Sequence, residues 1–405
     1  MTASPLNLRH LRAFYEVGVI GQVSPVADIV FMSQPAISQA IAKFESRCGA
    51  PLFHRQSTGL VLTEAGKLMH IRVTRALKSF DDGAHLVTQR KSSGQRLSRQ
   101  MTLTQLRALV SIADHGGFTK GAKAVGTSQP AISRAVRELE SLCGRPLIEK
   151  TGRGVVLTHA AEIIAQSARL AFHEIRQGAD EIKAHLGADT SVLTIGSLPL
   201  ARSAIIPKAI LAFTAANTDV AVHIIDGPYN DMRTGLMRGE IDLMIGALRG
   251  LSPTDDLVEV PLFTDKLSII ARAGHPLAQN DNISPEELQK YPWIVPRKGT
   301  PTRAYFDTLL HDDWGGDLPH LIESSSLILI RGLLVQSQRL TIISKQQVEL
   351  DVENNVLTKL NYALPGSGRP IGLTYRRSWH PTKTQSRFLD NIRRAVRDLD
   401  LNEGA

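Results

Sequence analysis

The sequence predicts a multi-domain chain: two all-α-rich modules, each of three helices and a hairpin with a long helix behind it, then a two-lobed α/β domain. Three observations predict it. Residues 8–66 and 103–161 align without a gap, with 25 of 59 positions identical, far above chance for a self-match at one fixed offset. Behind each copy an apolar stripe runs on at helical spacing, over 63–91 and 158–186. From Ser191 short apolar runs alternate with amphipathic stretches, the pattern of strands and helices in turn. The predicted divisions are 8–66 for the first module, 67–91 for its long helix, 103–161 and 162–187 for their repeats, and 191–400 for the α/β domain.

Each element has a local reason. Leu11, Phe14 and Tyr15 share one face of a helix over 8–19, and Gly21 breaks it. A short helix over 24–30 is expected to enter through Ser24, with Pro25 at its first position. Ser33 caps the third helix, which runs to about Cys48. Pro51-Leu52-Phe53-His54-Arg55 and Leu60-Val61-Leu62 read as two strands around Ser57-Thr58-Gly59. Three helices and a small hairpin make a winged helix-turn-helix. Leu68, Ile71, Leu77, Phe80 and Ala84 stripe the long helix that follows, which is too long for one small domain and calls for a partner chain or the other module. Ser92-Ser93-Gly94-Gln95 reads as a linker. The second module repeats the plan: helices 103–115, 119–125 and 129–142, a wing at Thr151-Gly152-Arg153-Gly154, and a long helix over 158–186.

The third helix of each module carries the chemistry. Ser33-Gln34-Pro35-Ala36-Ile37-Ser38 recurs 95 residues later as Ser128-Gln129-Pro130-Ala131-Ile132-Ser133. Serine caps the helix, and proline at its start loses no hydrogen bond. Ile132, Val136 and Leu139 form an apolar face. Ser133, Arg134 and Arg137 form a basic one, which suits a major groove. The first copy has Gln39 where the second has Arg134, Ala42 for Arg137, and Thr58 for the wing residue Arg153. Residues 103–161 hold 8 basic against 4 acidic residues, and 8–66 hold 5 against 4. Arginine pairs bidentately with guanine and suits a narrow minor groove, so the second module is expected to bind double-stranded DNA more strongly than the first.

Charge supports this reading. Residues 1–187 carry a net charge of +10 and the remainder −2, a polyanion reader joined to something else. No apolar run is long enough to span a bilayer, and no charged-then-apolar leader opens the chain. Only Cys48 and Cys143 occur, at matched positions, so no disulfide framework is expected and a cytoplasmic setting is. Each is expected to be a small, half-buried residue after a helix.

The α/β domain is expected to hold parallel strands and helices over 192–399, in two lobes with a cleft. Ligands in such sheets bind outside the carboxyl ends of the strands. Three loops are expected to converge there: Ser197-Leu198-Pro199-Leu200-Ala201-Arg202, Pro296-Arg297-Lys298-Gly299-Thr300-Pro301-Thr302-Arg303, and Glu323-Ser324-Ser325-Ser326. Hydroxyls and free N–H groups at helix starts favour anions. With Ala247, Arg202, Arg249 and Arg303 close by, an organic or aromatic carboxylate or a sugar acid is the expected ligand, clamped by Arg202 in one lobe and Arg303 in the other.

The whole arrangement resembles the LysR-type transcriptional regulators. Leu103-Thr104-Gln105-Leu106, Gly117-Phe118-Thr119, Ser128 to Arg134, Leu139-Glu140, Pro146-Leu147 and Leu157-Thr158 match that family's DNA-binding pattern. Gly227-Pro228-Tyr229, Gly239-Glu240-Ile241-Asp242-Leu243, Gly274-His275-Pro276-Leu277 and Tyr291-Pro292-Trp293 are similar to its effector domain. The resemblance implies a type 2 periplasmic-binding-protein-like effector domain, promoter DNA and a small effector as partners, a homo-oligomer (dimer or tetramer), and contact with RNA polymerase. The extra module at 8–91 departs from the family pattern. Two other classes fit the chain less well: a solute-binding protein of a transport system, which the basic front half does not suit, and an enzyme on the same α/β fold. No metal-ligand spacing, nucleophile elbow or phosphate loop is present, so no cofactor and no catalytic residue is expected. His311-Asp312-Asp313-Trp314 reads as a surface loop.

Overall fold

The computed structural model describes residues 7–57, 59–88, 91–152, 154–203, 205–315, 318 and 320–399. The chain falls into two compact units, Met1–Ser191 and Val192–Ala405.

In the first unit α1 (Leu8–Ile20), α2 (Val23–Val30) and α3 (Gln34–Cys48) precede a hairpin of β1 (Phe53–Gln56) and β2 (Gly59–Leu62), then α4 (Glu64–Thr88). After α5 (Lys91–Gln100) the plan recurs: α6 (Leu103–His115), α7 (Phe118–Ala124), α8 (Gln129–Cys143), β3 (Ile148–Thr151), β4 (Gly154–Leu157) and α9 (His159–His185). The repeat holds at atomic detail. Ser33 Oγ accepts the N–H of Ala36, and Ser128 Oγ that of Ala131, each at 3.4 Å. Gly49 and Gly144 end α3 and α8 in the left-handed conformation, where a Cβ would be strained. Glu45 accepts the N–H groups of Leu52 and Phe53 at 2.8 and 3.1 Å, and Glu140 those of Leu147 and Ile148 at 2.8 and 3.2 Å. One carboxylate thus ties each third helix to its hairpin.

Two expectations need correction here. α2 starts at Val23 with Gln22 as its cap residue, and no side chain caps it. Ser24 instead accepts a hydrogen bond from Gln34 at 3.1 Å. The stretch expected as a linker, 92–95, is part of α5. Leu97 within α5 and Met101 just after it are buried. Ser98 donates to Asp81, and Arg12 donates to both at 3.1 Å. Gly94 lies so close to His85 that a Cβ would collide with its ring and backbone. Glycine and serine signal a linker locally, but tertiary packing overrides a weak propensity.

The stripes of α4 and α9 meet each other. Met69, Val73, Ala76, Phe80 and Ala84 are buried with Ala161, Ile164, Ala165, Ala168 and Ala171. Gly83 sits against Ser167, and Gly178 against Met69 and Arg72, so the two helices run antiparallel. Of the two partners expected for these stripes, the other module is the one found.

The second unit holds two five-stranded sheets. The first has the order β6 (Ala221–Asp226), β5 (Val192–Ser197), β7 (Leu243–Ala247), β14 (Arg369–Arg376), β8 (Leu257–Asp265). α10 (Ile205–Ala216) and α16 (Lys383–Asp398) pack together through Phe213 and Phe388, whose ring centroids are 5.3 Å apart, and share one core with this sheet. α11 (Tyr229–Arg238) lies between β6 and β7 in the chain. The second sheet runs β11 (Ile322–Glu323), β10 (Trp293–Val295), β12 (Leu340–Ser344), β9 (Leu267–Arg272), β13 (Leu357–Lys359). Trp293, Phe306 and Trp314 cluster in its core. α12 (Pro285–Gln289), α13 (Pro301–Thr308), α14 (Leu327–Val335) and α15 (Glu349–Glu353) complete it.

The sheets are mixed, which corrects the expectation of parallel strands. β14 runs antiparallel to β7 and β8, and β9 antiparallel to β12 and β13. β8, β13 and β14 had no signal in the sequence reading. Pro261 interrupts β8 and faces Gly372 of β14, where the register shifts. Proline and glycine inside a run argue against a strand, yet here they make a bulge in which Gly372 lets the backbones approach closely. The chain leaves the first sheet after Asp265, enters the second at Leu267, and returns at Arg369.

Candidate functional site

The third helix of each module offers one face to solvent. On α8, Ile132, Ala135, Val136 and Leu139 are buried, while Ser128, Gln129, Pro130, Ala131, Arg134 and Arg137 are exposed and Ser133 is half-buried. Arg137 folds back onto Ser133, donating to its Oγ at 3.0 Å and its carbonyl at 3.3 Å. Arg134 is one turn closer to the capped end. On α3, Ser33, Gln34, Pro35, Ser38 and Gln39 are exposed and Ala36 is half-buried. The equivalent surface therefore carries no charge at the positions of Arg134 and Arg137, where Gln39 and Ala42 stand. Arg153 and its counterpart Thr58 lie outside the described residues.

In the second unit the expected loops come together in part. Ser197 ends β5 and Ala247 ends β7. Arg249 donates to the carbonyl of Gly299 at 3.2 Å, which joins the loop after β7 to the loop before α13. Its guanidinium lies 4.5 Å from the centroid of the Tyr229 ring, a cation–π contact. Glu259 fixes the Arg249 loop by accepting the N–H groups of Arg249, Gly250 and Leu251 at 2.7, 2.9 and 3.2 Å. Ser197 Oγ, Tyr229 Oη and Arg249 Nε are buried and have no hydrogen-bond partner among the described residues. Such groups are costly unless something pairs with them. Burial, with Glu259 adding to it, pushes the Tyr229 hydroxyl above its ordinary pKa, so it stays a donor.

The two arginines expected to clamp the ligand are engaged by groups of the chain itself. Arg202 donates to the carbonyl of Ser197 at 3.0 and 3.3 Å and faces Asp226 at 3.4 Å. Arg303 pairs with Asp307 at 2.6 Å and Glu323 at 2.8 Å, and donates to Pro296 at 3.2 Å. Arg202 thus faces one carboxylate of the chain and Arg303 two. Thr300 caps α13, accepting from the N–H of Arg303 at 3.2 Å and donating to Arg297 at 2.9 Å. Ser325 accepts from the N–H of Arg297 at 3.4 Å. Leu200 is buried in a single turn over Pro199–Arg202. In the sequence Tyr229 stands out only as part of the Gly227-Pro228-Tyr229 motif. Its hydroxyl showed itself only once folding had buried it without a partner. Among the described residues no group of three or more His, Cys, Asp or Glu is placed to hold a metal.

Two helical modules with matching solvent-facing third helices, and a two-sheet ligand domain, define a regulator that couples DNA to a small molecule. The sequence profiles agree. "Bacterial regulatory helix-turn-helix protein, lysR family" matches residues 8–67 and again 103–162, and "LysR substrate binding domain" matches 187–397. The chain belongs to the LysR family of transcriptional regulators.

Among relatives, the HTH-type transcriptional regulator GalR of Pseudomonas putida is 34% identical over 381 residues, 91% of this chain and 92% of that protein. PcaQ of Agrobacterium fabrum is 27% identical over 303 residues, 75% of this chain but 97% of PcaQ. The quarter of the chain left over is the size of one module with its long helix, whereas the GalR match extends into both modules. A full-length OxyR variant from Pseudomonas aeruginosa shares the fold at TM-score 0.54 and 22% identity, covering 74% of this chain and 95% of that one. CbnR, a LysR family regulator, does so at 0.51 and 18%, covering 72% and 98%. No helix among the described residues is long and apolar enough to cross a membrane.

Proposed function

We propose that this cytoplasmic regulator reads double-stranded promoter DNA through two winged helix-turn-helix modules of unequal strength. The observation that carries this is the pair of capped third helices, one exposing Arg134 and Arg137 and the other only Gln39 and its neighbours. The DNA-facing set is Ser128, Gln129, Pro130, Ala131, Ser133, Arg134, Arg137 and Arg153, with Ser33, Gln34, Pro35, Ala36, Ser38 and Gln39 in the weaker module. The effector domain is periplasmic-binding-protein-like and takes a small organic acid at the carboxyl ends of its strands. Ser197, Tyr229 and Arg249 contact the ligand there, beside Ala247 and Gly299. Arg202, Thr300, Arg303 and Ser325 hold the loops around it. The protein binds rather than catalyses, works as a homo-oligomer and acts on RNA polymerase at the promoter.

The test is a binding site selected from random DNA with the purified chain. Arg134→Ala is expected to lose roughly 1–3 kcal/mol on that site and to relax specificity at one base pair. Gln39→Ala is expected to lose less. Equal or reversed losses would show that the modules are ranked wrongly.

A further inference from the structure

The contacts between α4 and α9 follow a two-fold pattern. Positions 95 apart are equivalent, so Gly83 matches Gly178 and Arg72 matches Ser167. Gly83 packs on Ser167, and Gly178 packs on Arg72. When position i meets j and the mate of j meets the mate of i, the interface is isologous, as between the subunits of a symmetric dimer. Here both halves belong to one chain.

The symmetry breaks at Arg72. Arg72, only 2% exposed, donates to Glu181 at 2.8 Å through both Nε and Nη2, to Gln177 at 2.8 Å and to Glu174 at 3.1 Å. Burial alone would lower its pKa, but Glu181 and Glu174 outweigh burial and hold it above the ordinary value. On the mate side Ser167 stands for Arg72, with Ser79, Asp82 and Leu86 standing for Glu174, Gln177 and Glu181. Pairing α9 with the α9 of a second chain would set Ser167 against two carboxylates with no arginine. Pairing α4 with another α4 would bury Arg72 against Asp82 alone. A buried charge without its partner is strongly unfavourable, so the cluster selects the mixed pair.

The connection makes that mixed pair internal. Only residues 89 and 90 separate α4 from α5, and α5 is docked on α4 and α1 through Ser98, Asp81 and Arg12. So short a connection, with α5 docked on the first module, gives the second module a very high effective concentration at the first. Among the described residues nothing fills the groove equivalent to the α5 site, beside α9: it is a cavity of about 350 Å³ lined by Arg107, Phe172 and Arg176 among others. Arg107 and Arg176 there are the mates of Arg12 and Asp81, so the salt bridge that anchors α5 exists on one side only.

We propose that the two modules of one chain are each other's partner, so that a single chain is a complete two-fold DNA reader for two adjacent half-sites. The first module serves as a built-in mate for the second. Oligomers then form through surfaces other than the α4 and α9 stripes, and each added chain brings a further pair of half-sites. This rests on the reading of both modules as DNA readers, but the pairing itself is testable without DNA.

Chains with natural and heavy isotopes are mixed in denaturant, refolded together and treated with an amine cross-linker. The antiparallel register sets Lys67 and Lys183 near one level of the helix pair. Internal pairing gives Lys67–Lys183 cross-links that are all-light or all-heavy. Mixed-isotope links in about half of the products, or links from Lys183 to Lys183, would overturn the proposal. A second test uses Arg72→Glu and Glu181→Arg. Each alone should weaken binding to a two-half-site probe by about tenfold, and both on one chain should restore much of it. An equimolar mixture of the two single variants should remain weak. If the mixture recovers as well as the double variant does, pairing is between chains. If the cross-links are internal but a half-site duplication gives no tighter binding than one half-site, the pairing stands and the reading of the first module as a DNA reader falls.

Discussion

Asp265 and Arg369 face each other across β8 and β14, bonded at 2.9 and 3.0 Å, at the two points where the chain crosses between the sheets of the second unit. Ser344, at the end of β12, donates to the same carboxylate at 2.6 Å, and Arg369 also donates to Thr302 of α13. One ion pair thus fastens both crossings of the first sheet to two elements of the second lobe. Burial raises Asp265 above the ordinary carboxylate range, against the opposing pull of Arg369 and Ser344. Its raised pKa means the folded state holds the proton more tightly than the unfolded one. Its contribution to stability therefore falls as pH rises above the ordinary carboxylate value. Arg369→Leu removes one of the opposing pulls and leaves a buried carboxylate. The expected cost is about 3–5 kcal/mol near neutral pH, shrinking in mildly acidic buffer as Asp265 takes up its proton. Urea melts at the two pH values check this, and a cost that grows on acidification would refute it.

Phe31 occupies the turn between α2 and α3 with φ 53° while 82% exposed, and its mate Gly126 has φ 66°. A left-handed conformation costs a side chain about 1–2 kcal/mol, and an exposed ring recovers little by burial. Phe31→Gly is expected to raise stability by up to about 1 kcal/mol, and Gly126→Phe to lower it by about as much or more. Thermal melts of the full chain decide. A loss on Phe31→Gly would mean that the ring has a partner worth more than the strain.

Burial pushes the thiols of Cys48 and Cys143 up to about 12 and about 11. Only the thiolate reacts with alkylating reagents and disulfides. Both are free, and both should resist a neutral thiol reagent in the folded chain yet react at once in denaturant. Of the two, Cys143 is the less buried and should be modified first. Fast modification of either in the native chain would contradict this burial.

Ligand binding should depend on the unpaired buried groups rather than on the arginines with carboxylate partners. Tyr229→Phe and Ser197→Ala each remove one hydrogen bond, worth about 0.5–1.5 kcal/mol, or up to roughly tenfold in affinity. In a thermal-shift screen of organic acids both variants should need more ligand for the same shift. Arg202→Ala should lower the melting temperature without ligand and change affinity less. If Arg202→Ala alone abolishes the shift, the carboxylate clamp is restored as the better reading.

Much of the first unit was legible because its signals are local. The caps Ser33 and Ser128 act within three residues, and Gly49 and Gly144 stop their helices where they stand. The repeat needed no structure, since a fixed offset of 95 is visible in the letters alone. The basic face of α8 followed from helical spacing. Strands β5, β6, β7, β9, β10 and β12 announced themselves as apolar runs.

What the sequence could not decide depends on partners far along the chain. α5 looks like a linker until Gly94 meets His85 and Leu97 finds the core. β8 and β14 look broken until Pro261 and Gly372 oppose each other in one bulge. Arg202 and Arg303 read as ligand clamps because Asp226 and Glu323, which face them in the fold, lie 20 or more residues away, although Asp307, also on Arg303, is only one helical turn along. Arg72 gave no signal at all, because Glu174 and Glu181 come more than 100 residues later. By itself the sequence determined the class of protein, its two modules and the helices that face DNA, since caps, periods and repeats are short-range or periodic. Only the tertiary structure decided which arginines are already paired, which polar atoms are left waiting and which long helix is the mate of which, because charge pairing and burial belong to residues that meet only when the chain has folded.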